Sequence, residues 1–341
     1  VRKGGSAPKP AEPETPLSFA EMGVRRQEFQ APVSTPVVPA AAATPPAQPE
    51  SLYYEVALQE IDRLYKAAGA GDPLRIGSLQ RIVATLVKGI LADDALLVRA
   101  LECGESELDR ARHMLNTAIF AVKIAQGSGC REEELPWLGL AGCLHDVGMG
   151  IVPARIVNKS SGLTEEEQAL IRMHPEKGFR ILQTLGPEYE WLANVVLQHQ
   201  EREDGSGYPR GLTGDEIHEF AKIIGLADTY EALTHPRPYR AVARSPLEIA
   251  KEIINSERGH FPNHILKGFL RGLSTFPVGS WVRLNTGEGA RIVVTNAAFP
   301  LRPVVEILTD AKGERVDPPR RVDLAANTLL YVTQSGSSPK R

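Results

Sequence analysis

Histidine and aspartate recur through the middle of the chain at wide, similar intervals. His145-Asp146 comes first, then His174 before a proline, then His199 at the head of a loop reading Gln200-Glu201-Arg202-Glu203-Asp204-Gly205-Ser206-Gly207-Tyr208-Pro209, and finally Asp228. Most of them fall on the apolar side of a helically periodic segment. Leu138, Ala141 and Gly142 share the face that ends in His145, Ile171 precedes His174 by three residues, Leu192, Val195 and Val196 lead to His199, and Ile224 lies one turn before Asp228. Burying an imidazole or a carboxylate without a partner is costly. Taken singly, each histidine reads as a satisfied core histidine. Together, on successive helices, they read as ligands of a metal, for hydrolysis or redox chemistry.

The mixture of His and Asp without Cys argues against a structural zinc site. It suits two ions that share one bridging carboxylate and one bridging hydroxide. Such a pair lowers the pKa of water and clamps a phosphoryl group for in-line attack. Asp146, next to a ligand histidine, is the natural bridge. His113, with Asp109 one turn before it, is a further candidate. His218, His235, His260 and His264 lack such surroundings and read as surface or structural residues.

The elements that must position these groups are helical. Residues 1 to about 50 are rich in Pro, Ala, Glu and Thr, and cannot bury enough apolar surface to order themselves. They read as a disordered tail. Tyr53, Val56, Ala57, Ile61 and Leu64 then mark a first helix, broken at Gly69-Ala70-Gly71-Asp72-Pro73. The periodicity predicts a second helix over 77–92 and a third over 93–101, giving a helical subdomain at 51–102. Helices continue through a domain at 103–275. Thr164 and Glu167 form a capping box that starts the helix carrying His174. Beyond Phe276-Pro277 the texture changes. Residues 281–284, 290–295 and 304–308 read as short strands within a β-rich extension at 276–334, before a frayed tail at 335–341.

Composition narrows the class. A chain of 341 residues can bury a sizeable core, and a net charge of -3 gives no sign of bulk nucleic-acid binding. No apolar run approaches the length of a membrane span. Cys103, Cys130 and Cys143 have no CxxC spacing, which suits buried free thiols in a reducing, cytoplasmic compartment.

On these residues the chain resembles the HD-GYP family. His145-Asp146 is similar to the HD pair of the HD phosphohydrolase superfamily. Asp204-Gly205-Ser206-Gly207-Tyr208-Pro209, followed by Gly211-Leu212, resembles the GYP signature. The resemblance covers about residues 105–275. It implies a mainly α fold, an HD-domain helical bundle with a small helical N-terminal subdomain and a short β-rich C-terminal extension. It implies a bacterial signalling hydrolase, a phosphodiesterase that cleaves cyclic di-GMP to pGpG or GMP with two or three divalent ions, iron or manganese.

By position, His113, His145, Asp146, His174, His199 and Asp228 resemble the metal ligands, with His145 and Asp146 at the catalytic centre. Asp109 falls where some members have a metal-binding glutamate. Arg237 and Arg240 resemble the basic pair that holds substrate phosphates, as guanidinium groups do. Tyr208 and Pro209 resemble the loop that shapes the substrate entrance. Two positions depart from the pattern: Met149 stands where HDxGK has its lysine, and Gln200 where HHE has its second histidine. These departures keep two rivals open. One is a degenerate receptor that binds cyclic di-GMP and signals through protein partners of the N-terminal region. The other is an HD phosphohydrolase acting on another nucleotide.

Overall fold

The apolar spacing that begins at Leu52 folds as helix α1, Glu50–Ala70, in the computed structural model of the chain. The structure describes residues 50–101, 108–157, 159, 161–234, 246–273, 278–296, 299 and 301–336. Of the expected tails at 1–50 and 335–341, residue 50 opens α1 and residues 335 and 336 belong to the last strand; the rest of both tails, Cys103, His235 and the arginine pair Arg237 and Arg240 lie outside the described residues.

Helices α2 (Gly77–Ala92) and α3 (Ala95–Leu101) follow α1, and Asp93 accepts the Ala95 N–H at 2.7 Å between them. Next come α4 (Asp109–Ser128), α5 (Leu135–Leu144) and the single turn α6 (Ala154–Val157). α4 is the centre of the bundle, packing against α1, α5, α10 (Glu219–Thr234) and α12 (Asn263–Gly272). Every residue of α4 from His113 to Ala125 is buried. Phe120 of α4, Tyr230 of α10 and Phe269 of α12 meet edge to face, with centroids 5.0 and 5.3 Å apart. α5 is apolar on nearly all sides, as a helix enclosed by others must be. Its C-terminal end therefore delivers His145 and Asp146 to the interior.

The Thr164–Glu167 capping box forms, with the Glu167 N–H donating to Thr164 Oγ1 at 3.3 Å and the Thr164 N–H to Glu167 Oε2 at 2.9 Å. It starts α7, Glu165–Arg172, but that helix does not carry His174 as expected. The chain turns at Met173, and His174 opens a new helix, α8, His174–Gln183. The reason is Pro175, which has no N–H to give the preceding turn and sits comfortably only in the first turn of a helix. α9 (Glu190–Gln198) and α11 (Pro246–Ser256) complete the helices among the described residues.

Among the described residues, five antiparallel strands follow: β1 (Trp281–Leu284), β2 (Gly289–Val294), β3 (Val304–Thr309), β4 (Arg315–Asp323) and β5 (Val332–Gly336), in the order β4-β3-β2-β1-β5. Val282, Leu284, Ala290, Ile292, Val305 and Ile307 alternate inward to form a separate small core with Leu324 and Val332. The fold is of the expected class, a mainly helical bundle with a β-rich C-terminal extension. The sequence pattern does not predict β4 and β5. β4 contains Pro318-Pro319, a pair that argues against a strand, and it is tolerated at the sheet edge, where one side needs no ladder bonds. None of the described helices is long and apolar enough to cross a membrane.

Candidate metal centre

Four helices and one helix junction bring His113, His145, Asp146, His174, His199 and Asp228 to one point. His113 comes from the first half of α4, His145-Asp146 from the end of α5, His174 from the start of α8, His199 from the end of α9 and Asp228 from the middle of α10. Close backbone approach makes this possible. A Cβ on Gly148 would stand 2.1 Å from the His174 carbonyl oxygen, and a Cβ on Gly225 would stand 2.5 Å from that of His199. Glycine at these points lets the segment after Asp146 touch the start of α8, and lets α10 touch the end of α9.

Three of the imidazoles are oriented in the same way. Nδ1 of His145, His174 and His199 donates to the carbonyl three residues back, on Gly142, Ile171 and Val196, at 2.8, 2.8 and 2.7 Å. A carbonyl only accepts, so the proton is on Nδ1 and the lone pair is on Nε2. All three Nε2 atoms point inward. That of His145 is fully buried and has no hydrogen-bond partner. Those of His174 and His199 face each other at 3.2 Å. Two lone pairs at that distance repel unless a cation lies against both. An orphaned buried acceptor and a pair of opposed acceptors are what a metal would satisfy, so the residues fit the divalent ions they were expected to bind.

Asp146 lies between two halves of the cluster. Its Oδ1 is 3.2 Å from His174 Nε2 and 3.9 Å from Nε2 of both His145 and His199. Its Oδ2 faces the other way, 3.5 Å from His113 Nε2 and 3.2 Å from Arg110 Nη1. His113 Nε2 is also 3.2 Å from Asp228 Oδ1. His113 Nδ1 meets Glu231 Oε2 at 2.5 Å, the carboxylate-histidine pairing that commonly orients a metal ligand.

The electrostatics follow from burial and from three carboxylates in one place. Burial holds the His199 imidazole down at about 3, and neighbouring His145 and His174 push the same way. Burial likewise lowers His145. It opposes charge on His113 too, but Glu231 and hydrogen bonds to Asp146 and Asp228 overcome it and raise that group well above its usual range. Burial would also raise Asp146, yet His145, His174, His113 and Arg110 keep its carboxyl well below the usual range. The proton held on His113 is the local counter-charge to Asp146, Asp228 and Glu231, a demand that a divalent cation meets more fully.

Asp109 is brought to no such place: it is exposed at the start of α4 and belongs to none of the candidate metal groups among the described residues. The α4 residue one turn before His113 that reaches the cluster is Arg110. Tyr208 lines a cavity of about 490 Å³ whose floor holds His113, Asp146, His174 and Asp228. Its ring meets that of His174 edge to face at 6.2 Å. Pro209 is half-buried beside it and is not part of the lining. Met149 lines the cavity as well, packed with Val152, Ile156, Leu163 and Ile171.

Sequence reasoning gave no role to Arg110, Gln200, Glu201 or Glu231. Gln200 is more than a lost ligand, because its Nε2 donates to Asp228 Oδ2 at 2.8 Å and orients that carboxylate. Glu201 is buried and accepts the N–H groups of Arg210 and Leu212 at 2.7 and 3.0 Å, tying down the loop that carries Tyr208. A helical-spacing signal existed for two of the four. Glu231 follows Asp228 by three residues, and Arg110 precedes His113 by three.

Residues 98–263, which hold every member of this cluster, match the HD domain family. Residues 281–338, the β-rich extension, match the KOW domain associated with HD domain. HD-domain phosphohydrolases use divalent metals, and the His/Asp groups here are able to bind them. Around its HD domain the chain is similar to the Pseudomonas aeruginosa protein named cyclic di-GMP phosphodiesterase PA4108, with 30% identity over 266 residues, 76% of this chain and 63% of that one. It is also similar to the Vibrio cholerae 3'3'-cGAMP-specific phosphodiesterase 3, with 37% identity over 131 residues, 38% of this chain and 28% of that one. It thus spans less than two thirds of the length of either relative. Among solved structures, Bd1817, an HDGYP protein from Bdellovibrio bacteriovorus, shares the fold at a TM-score of 0.52 and 18% identity, covering 64% of this chain and 70% of that one.

Proposed function

We propose that the chain is a metal-dependent phosphodiesterase that hydrolyses cyclic di-GMP to linear pGpG or GMP. The observation that carries this reading is the two-sided Asp146 carboxylate at the floor of an open cavity, with lone pairs of buried imidazoles converging on it. The similarity to a protein named as a cyclic di-GMP phosphodiesterase supports the choice of substrate.

His113, His145, Asp146, His174, His199 and Asp228 would hold the ions, His113 and His145 grouping with Asp146 on one side and His174 and His199 on the other. Iron or manganese suits such a set of imidazoles and carboxylates. Ions bound there supply Lewis acidity, which lowers the pKa of water and stabilises charge on a phosphoryl group. The chain's own residues do the rest. Backbone carbonyls keep the Nδ1 protons of three histidines in place, so their Nε2 atoms remain ligands. Glu231 keeps the His113 proton on Nδ1. Gln200 fixes the rotation of Asp228. Met149, Ile156, Leu163 and Ile171 form an apolar wall that limits water around the scissile phosphate. Glu201 holds the loop whose Tyr208 closes another side. In the overall reaction the oxygen of water bonds to phosphorus, the bond from phosphorus to the ribose 3'-oxygen breaks, and that oxygen leaves with a proton.

The buried thiol of Cys143 suits a cytoplasmic setting. A second reading, hydrolysis of another cyclic dinucleotide, is favoured by the similarity to a 3'3'-cGAMP-specific relative. Product analysis separates the two. Protein reloaded anaerobically with iron or manganese is incubated with cyclic di-GMP or 3'3'-cGAMP, and the products are resolved by chromatography. Formation of pGpG or GMP, lost in Asp146→Ala, is the expected result. Cleavage of 3'3'-cGAMP alone would move the assignment to the second reading, and no cleavage of either would overturn both.

A further inference from the structure

Two carboxylates, Asp146 and Asp228, line the cavity beside two cationic side chains. On the wall beside the His145-Asp146 turn stands Met149, a neutral thioether sealed into an apolar cluster. Among the described residues, Arg110 and Lys159 are the Lys and Arg side chains that line the cavity. Lys159 is already paired, with its Nζ 2.6 Å from Glu167 Oε2 in the α7 capping box. Arg110 is placed differently. It lies one turn before His113 on the buried face of α4, its side chain is 28% exposed, and one guanidinium nitrogen reaches Asp146 Oδ2 at 3.2 Å. That contact is single and long for a guanidinium-carboxylate pair, which is usually forked and shorter. Divalent cations on Asp146 would compete for the same oxygen and weaken it further.

From this geometry we infer that Arg110 is a phosphate-binding cation of the site: its guanidinium fork binds non-bridging oxygens of the phosphoryl group at the Asp146–Asp228 floor. The role that a lysine at position 149 would fill from one wall is thus filled from α4. The inference rests on the proposed phosphodiester substrate, but its chemistry needs only a phosphate. A planar five-donor fork on a rigid, buried helix meets two phosphate oxygens at once, which an ammonium does not.

Inorganic phosphate is therefore the first probe. Manganese-loaded full-length protein, wild type and Arg110→Met, is titrated with phosphate by calorimetry, and bound manganese is measured by elemental analysis on the same samples. Arg110→Met should keep its manganese and bind phosphate about 10- to 100-fold more weakly, the usual effect of losing a charge-assisted hydrogen bond. Adding Met149→Lys to Arg110→Met should recover part of that loss. Arg110→Lys, the safer variant for folding, should fall between the two because it keeps charge and loses the fork. Unchanged phosphate affinity in Arg110→Met would overturn the inference, as would loss of manganese in step with phosphate, since Arg110 would then only position Asp146. Wild-type protein that binds no phosphate would also overturn it. Wild type that binds phosphate but not cyclic di-GMP would refute the proposed substrate and leave Arg110 to be judged on phosphate alone.

Discussion

At the scale of single residues, the centre depends on where protons are. His145, His174 and His199 each spend Nδ1 on a backbone carbonyl, so each has one lone pair to offer, and the fold decides its direction. His113 is the exception, because its Nδ1 partner is the Glu231 side chain. Glu231→Gln should therefore loosen the tautomer and orientation of one ligand while leaving the helices intact. Metal affinity should drop about 10- to 100-fold, the usual effect of losing such a supporting carboxylate. Competition with a fluorescent chelator would measure it, and an unchanged affinity would mean that Glu231 is a passive core group. The residues that sequence reasoning found were those with an anomalous type on an apolar face: His145, Asp146, His174, His199 and Asp228. Glu231 was passed over because a lone glutamate near a helix end reads as a solvated charge. Only the partner helix α4 shows that it is enclosed.

At the scale of elements, the question is how four helices converge within hydrogen-bonding distance. Gly148 and Gly225 answer it, because side chains there would strike the carbonyls of His174 and His199. Gly148→Ala should force the turn after Asp146 away from α8. A destabilisation of about 1–3 kcal/mol is expected from overpacking, together with weaker metal binding because His174 moves. Denaturant melts with and without manganese would test both parts. Equal stability and equal metal content in the variant would show that the contact can relax. Sequence alone marked the α7 start correctly from its capping box, but it ran that helix into His174. Periodicity continued across the break, and the signal for the break was Pro175. The strand β4 was illegible for a related reason: prolines speak against a strand, and only the sheet order shows that this one is an edge.

At the scale of the whole molecule, the fold carries buried imidazoles that stay neutral when the unfolded chain would charge them. Burial lowers His199 to about 3 and His218 to about 4. Below the unfolded histidine value of about 6.5 the unfolded chain binds the extra protons and the native chain does not, so stability falls as pH drops from there towards the native values. Each of these two groups should cost about 2 kcal/mol of stability by pH 5. His113 has the opposite shift, so its contribution is complete below about 6.5 and is lost only as pH rises towards its native value. Chelator-treated protein should therefore melt at lower temperature at pH 5 than at pH 6.5. A flat or rising melting temperature over that interval would mean that these histidines charge within the fold.

The helical bundle with its β-rich extension was legible from periodicity and texture, because both report burial along one chain. The orientation of Asp146 towards two groups of ligands was not, since it arises only when five segments meet. That orientation is the centre of the account, and the direct test is crystallographic. Crystals of manganese-loaded protein, with diffraction recorded at the manganese absorption edge, should show anomalous density on both sides of Asp146. One peak should lie against His174 and His199, and the other against His113 and His145. Density on both sides that vanishes in Asp146→Ala crystals would establish the shared carboxylate. Manganese-loaded wild-type crystals with no density beside Asp146 would contradict it.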